Sequence, residues 1–192
     1  MSPAPDRRPV LVALAGPNGA GKTTFYHAHL AAAGLRFVNA DVVSRELGLD
    51  PYAAARVAGA LRHELLKCRE SFVFETVFSD PVGDKLAFLK DAVTAGYQVV
   101  LCFIGISGPD VSEARVAMRV SQGGHDVPSA KLIARFPRTR ANLRTALREL
   151  PEVRVYDHSD LRTPFREVAI FNNGQAANLN PPVPHWLKPL LP

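Results

Sequence analysis

The chain has 192 residues, 47% of them hydrophobic and 21% charged, enough to bury the core of one globular domain and too little for a second independent one. A formal charge of +5 and a pI near 9.5 suit an anionic partner, but a nucleotide or phosphorylated metabolite accounts for so small an excess as well as nucleic acid does. Cys68 and Cys102 lack metal-ligand or redox spacing and read as buried structural thiols, while Met1 to Pro9 carries no apolar signal core and no apolar run approaches the roughly 20 residues that span a bilayer, so the expectation is a cytoplasmic protein without a membrane partner.

In chain order, the apolar run Val10 to Ala15 reads as a buried parallel strand that feeds, through a glycine turn, a helix from Gly21 to about Ala33. A short strand at Arg36 to Ala40, a helix from about Tyr52 to Arg69, a strand at Ser71 to Glu75, a helix from about Pro81 to Ala95 and a strand at Gln98 to Ile106 follow. Helical periodicity covers Asp110 to Val120, breaks at Gly123-Gly124, resumes from Ser129 to Leu150, and yields to short strands at Val153 to Tyr156 and Arg166 to Phe171. This alternation predicts a three-layer α/β/α fold around a mainly parallel sheet of five or six strands. Residues 1–171 read as one nucleotide-binding domain with a lid at about 119–138. Residues 172–192, with five prolines among the last twelve, read as an irregular tail pinned by Trp186.

Gly16-Pro17-Asn18-Gly19-Ala20-Gly21-Lys22-Thr23 matches GxxxxGK[ST] in full, between the strand and helix that this phosphate-binding loop requires. Its glycines let backbone N–H groups turn toward phosphate oxygens. Lys22 is expected to reach the β- and γ-phosphates of ATP and the Thr23 hydroxyl to ligate Mg²⁺, with Thr24 completing the loop.

In an open α/β sheet, ligands bind beyond the carboxyl ends of the strands. That rule singles out Gly16, Asp41, Glu75 and Ser107. Asp41 has two readings: a base that accepts the acceptor hydroxyl's proton, or the N-cap of a helix from Val42 to Leu47. Glu75 and Thr76 emerge together from their strand, either to hold substrate hydroxyls and metal-bound water or as a solvated strand exit. The segment 111–150 carries eight basic residues against three acidic ones. Gly123-Gly124 and Pro128 break its helices between Arg119 and Arg135, as in a flap with arginines at both hinges. Such arginines would neutralise a migrating phosphoryl group. Arg140, Arg144 and Arg148, four apart, read as a solvated face.

Together the blocks Ala15 to Thr24, Val38-Asn39-Ala40-Asp41, Phe74-Glu75-Thr76, Arg119 to Pro128 (Arg-Val-Ser-Gln-Gly-Gly-His-Asp-Val-Pro) and Arg135-Phe136-Pro137-Arg138 with Asn142-Leu143 resemble the zeta toxin-like kinases, in particular their compact bacterial members. The resemblance runs from about Val10 to Ser159. It implies that Lys22 and Thr23 hold triphosphate and metal and that Asp41 is the catalytic base. It also implies that Asn39, Glu75 and Thr76 contact substrate and that Arg119 and Arg135 engage the γ-phosphate. Better-studied members phosphorylate the 3′-hydroxyl of a UDP-N-acetylamino sugar and are held inactive by an antitoxin, here expected as a separate protein. This chain is shorter and carries a Gly-Gly-His-Asp-Val-Pro segment between its two lid arginines.

Three other readings stand beside this one. A metabolite kinase of the shikimate or gluconate type also pairs such a loop with an arginine-bearing lid. Ser121 to His125 loosely echoes the signature of transporter ATPases, but no apolar strand ending in Asp-Glu follows it. A nucleic-acid-binding switch on the Arg135 to Arg148 face lacks interleaved aromatic residues beyond Phe136, which makes nucleic acid an unlikely partner. His125 reads either as a donor in the lid or as a support for its glycine turn.

Overall fold

The computed structural model describes residues 9–123 and 127–192. The readings made for Met1 to Arg8 and for Gly124, His125 and Asp126 lie outside the described residues. Seven strands, β1 (Val10–Ala15), β2 (Arg36–Val38), β3 (Phe72–Thr76), β4 (Gln98–Gly105), β5 (Glu152–Asp157), β6 (Arg166–Asn172) and β7 (Gln175–Leu179), form one sheet in the order β2-β3-β1-β4-β5-β6-β7. The first five in that order run parallel, and β6 and β7 pair antiparallel at the far edge. The connecting helices are α1 (Lys22–Phe25), prolonged by a π turn at Tyr26–Leu30 and a 3-10 turn at Ala31–Ala33, then α2 (Ala40–Leu47), α3 (Pro51–Lys67), α4 (Asp84–Thr94), α5 (Pro109–Ser121) and α6 (Ser129–Glu149).

The expected α/β class and parallel order are observed, with seven strands in place of five or six. The extra strand comes from the segment expected to be irregular. Asn173 and Gly174 both take positive φ and turn the chain back as a hairpin, so β7 pairs with β6 although all five of its residues are exposed. Backbone pairing at a sheet edge needs no apolar pattern, which left this strand invisible to periodicity. Beyond it, Trp186, Leu187 and Leu190 are buried against Phe103 and the sheet.

Strand β1 is buried on both faces, as an uninterrupted apolar run in a parallel sheet must be. Leu11, Ala13 and Ala15 face a core built with α3, α4 and the second half of α6, while Val12 and Leu14 face a smaller one closed by Phe25 of α1 and Phe136 of α6. A period of two sends neighbours to opposite layers. Cys102 lies in the smaller core, where burial pushes its thiol up to about 12, but Cys68, just past the end of α3, is exposed rather than buried.

Candidate active site

The loop that follows β1 lies at the carboxyl end of the parallel strands. Gly16, at φ +147°, passes so close to the Ile104 carbonyl of β4 that a Cβ there has no space. Gly21, at φ +87°, is the residue before α1, and a Cβ on it would fall 2.8 Å from the His158 ring nitrogen Nδ1. These positions need glycine for two reasons at once, backbone conformation and close approach. The loop is then fastened from outside. Ser112 Oγ donates to the Asn18 carbonyl at 2.7 Å, Arg115 Nη1 reaches the Gly19 carbonyl at 3.5 Å, and His158 Nδ1 meets the Ala20 carbonyl at 2.8 Å. A carbonyl only accepts, so Nδ1 carries the proton.

Lys22 is buried, 6% exposed, with Nζ donating to the Pro17 carbonyl at 3.0 Å and 3.7 Å from Glu75 Oε1. Burial lowers its pKa, and the Glu75 and Asp41 carboxylates oppose that shift. Glu75 is where the separate sequence blocks meet. Its Oε2 accepts from Thr23 Oγ1 at 2.7 Å and from Asn39 Nδ2 at 2.8 Å. A hydroxyl beside a carboxylate, with Asp41 nearby, is an all-oxygen donor set of the kind a hard cation such as Mg²⁺ takes.

Asp41 is not the N-cap of α2. That role belongs to Asn39, whose Oδ1 accepts from the Asp41 N–H at 2.7 Å and the Val42 N–H at 3.4 Å. Because the helix starts two residues earlier than expected, Asp41 sits in its first turn with its side chain exposed to the cleft. Asn39 is itself buried and spends both polar atoms on protein partners. The Thr76 hydroxyl accepts from the Phe78 N–H at 3.0 Å and so shapes the turn after β3.

These residues line a cleft of about 490 Å³. Asn18, Gly19, Lys22, Asn39, Asp41, Glu75 and Thr76 line it together with Arg119 of α5 and Arg135 of α6. Helix α6 is locked to the β3–α4 connection, with Thr139 Oγ1 donating to the Val77 carbonyl at 3.0 Å and Asn142 Nδ2 to the Phe78 and Asp80 carbonyls at 3.0 Å. The arginines expected on a solvated face divide. Arg140 donates to the Ser107 carbonyl and lies over the Phe136 ring, Arg144 donates to the Pro189 carbonyl, and Arg148 is exposed.

Sequence reading missed three further residues that line the cleft, Tyr52 and Arg62 of α3 and Lys85 of α4. Tyr52 accepts from Lys131 Nζ at 3.0 Å, which draws the phenol pKa down and joins the start of α3 to the start of α6. Their helices were legible, but which helix faces the strand ends is a matter of packing, and no motif marks it.

Residues 11–136 match the model of the AAA domain family. No curated protein matches the chain. Among solved structures, the chain is similar to the AvrRxo1-ORF1:-ORF2 complex with ATP (21% identity, TM-score 0.67, 88% of this chain and 60% of that one). It is similar also to the PezAT chromosomal toxin-antitoxin system of Streptococcus pneumoniae (18% identity, TM-score 0.60, 84% and 72%) and to the Pnkp1/Rnl/Hen1 RNA repair complex (15% identity, TM-score 0.56, 94% and 53%). The chain thus spans about 60% of the AvrRxo1 chain it matches. At such identities the likeness is one of fold, and it agrees with the fold implied by the resemblance to zeta toxin-like kinases. The matched residues run from β1 and its phosphate loop to Phe136 of α6, and over that span the chain belongs to the AAA domain family, with a P-loop NTPase fold.

Proposed function

We propose that this protein is an ATP-dependent small-molecule kinase that transfers the γ-phosphoryl group to a hydroxyl of a nucleotide-sugar or related metabolite. The observation that carries this reading is the convergence of Lys22, Thr23 and Asn39 on Glu75 in a cleft that Arg119 and Arg135 also line. Its volume of about 490 Å³ falls in the range of small-molecule sites. Similarity of fold to a complex that holds ATP supports the choice of nucleotide.

In this reading the loop from Gly16 to Thr24 cradles the phosphates and Lys22 pairs with the β- and γ-oxygens. Thr23 and Glu75 would hold Mg²⁺, which supplies neutralisation of phosphate charge when bound. The acceptor oxygen attacks the γ-phosphorus and the bond to the β–γ bridging oxygen breaks. ADP leaves, and the hydroxyl proton passes to the Asp41 carboxylate. Charge growing on the equatorial oxygens is met by Arg119 and Arg135. Glu75 accepts from Thr23 and Asn39 and lies beside Lys22, which places it on the cation's side of the cleft, whereas Asp41, exposed in the cleft, is available for the proton. A separate protein antitoxin, in the manner of the toxin-antitoxin systems of similar fold, would act on this cleft.

The test is to incubate the protein with Mg²⁺, ATP and a panel of UDP-sugars, free sugars, nucleosides and NAD, and to search by mass spectrometry for a product heavier by one phosphoryl group. Asp41→Asn should lower the yield by a factor of 10² or more, the usual worth of a general base, while ATP still binds. ATP hydrolysis with no acceptor modified would count against a kinase.

A further inference from the structure

Among the described residues that line the cleft, six are basic, Lys22, Arg62, Lys85, Arg119, Lys131 and Arg135, and only Asp41 and Glu75 are acidic. Lys22 is paired with Glu75, and Lys131 is engaged by Tyr52. Arg62 stands apart from both. Its guanidinium lies against two rings of the core, with Cζ 5.1 Å from the Phe74 centroid and 5.8 Å from that of Phe88. Its Nε is buried without a hydrogen-bond partner, and no carboxylate pairs with it among the described residues. Burial alone pulls its pKa down, with no neighbouring charge acting in return.

A guanidinium withdrawn from water and left without a counter-charge is costly, and contact with aromatic rings offsets only part of that cost. The two rings offer its N–H groups no oxygen acceptor, and Arg62 lines the cleft. A rigid, partly desolvated fork is what an oxyanion binds best, because little entropy remains to be lost. Arg62 of α3 and Lys85 of α4 both line the cleft and belong to neither the phosphate loop nor the segment 119–138.

We propose that Arg62 is the anion-binding residue of the acceptor subsite, so that the acceptor carries an oxyanion, phosphate or carboxylate, besides the hydroxyl that is phosphorylated. This rests on the kinase reading above. It follows that neutral sugars and nucleosides are poor acceptors for this protein.

The experiment is calorimetric titration of the full chain, saturated with AMP-PNP and excess Mg²⁺ so that the phosphate loop is filled, with pyrophosphate and in parallel with gluconate. At least one should bind the wild type, and its identity tells phosphate from carboxylate. Arg62→Met keeps the stem packed over the two rings and removes the charge, and should weaken that binding by about tenfold or more, as expected for loss of a charge-assisted hydrogen bond. Arg62→Lys, which keeps charge without the fork, should fall between the two, and AMP-PNP affinity should stay within about twofold in both. Binding of neither anion, or equal binding by wild type and variants, would overturn the subsite while leaving the kinase reading standing. Should Arg62→Met fail to bind AMP-PNP through misfolding, Arg62→Lys decides alone, equality with wild type being the contrary result. Failure of the wild type to bind AMP-PNP would remove the kinase reading and this inference with it.

Discussion

Asn39 performs two tasks that belong to different parts of the site. Its Oδ1 caps α2 and its Nδ2 holds Glu75, so one side chain fixes both the helix that presents Asp41 and the carboxylate beside Thr23. Losing an asparagine cap costs about 0.5–2 kcal/mol, and the Glu75 carboxylate loses a donor as well. Asn39→Ala is therefore expected to destabilise the fold by about 1–2 kcal/mol in urea unfolding. Asn39→Asp keeps an acceptor for the cap but sets a second carboxylate against Glu75, and should regain stability as the pH is lowered and one of the pair takes up a proton. Parallel curves for the two variants across pH would count against this division of labour. The motif block Val38 to Asp41 drew attention to these residues, but which of the two was the cap could not be read from type, since asparagine and aspartate cap equally well.

Among the elements, the C-terminal segment departs most from its sequence signature. Proline-rich and aperiodic, it nevertheless supplies β7 and places the single tryptophan against β4. Gly105 at the end of β4 leaves the space that the Trp186 ring fills, and Trp186 Nε1 donates to Asp157 Oδ1 at 2.9 Å. Asp157 also accepts from the Ser159 hydroxyl at 2.6 Å, in the loop that carries His158 to the phosphate cradle. A methyl at Gly105 must displace the indole. Gly105→Ala is expected to shift the tryptophan emission to longer wavelength and to cost about 1–3 kcal/mol, the usual range for an overpacked core position. An unchanged emission spectrum would show that the ring is not held there.

For the molecule as a whole, a contact across 138 residues of sequence ties the loop after β5 to the phosphate loop, His158 against Ala20 and Gly21. Burial lowers the His158 pKa from its ordinary 6.5. The unfolded chain therefore takes up a proton on this side chain before the folded one does, and stability rises with pH wherever the unfolded state binds more protons. The contribution of His158 is complete above about 6.5 and is lost as the pH falls toward its lower folded value. Thermal unfolding between about pH 7.5 and 5.5 should show the wild type losing stability faster than His158→Gln. The acid-shifted Asp50 and Asp160 titrate below this interval and do not obscure the comparison. Wild type and variant falling in parallel would show that the histidine is not buried in its neutral form.

The amino-acid sequence by itself determined the parallel core, because a run such as Val10 to Ala15 has no stable place except inside a doubly covered sheet, and it determined the phosphate loop, because Gly16 and Gly21 tolerate no other side chain there. Both are local consequences of residue type and spacing. The tertiary structure decided what no local pattern encodes. It put Glu75, from a strand 52 residues beyond Thr23, within 2.7 Å of its hydroxyl. It gave the cap to Asn39 and left Asp41 in the cleft, and it turned Arg62 of α3 toward the strand ends. The face a helix presents and the partner a carboxylate finds depend on how the layers pack, which is fixed only when the whole chain has closed on its core.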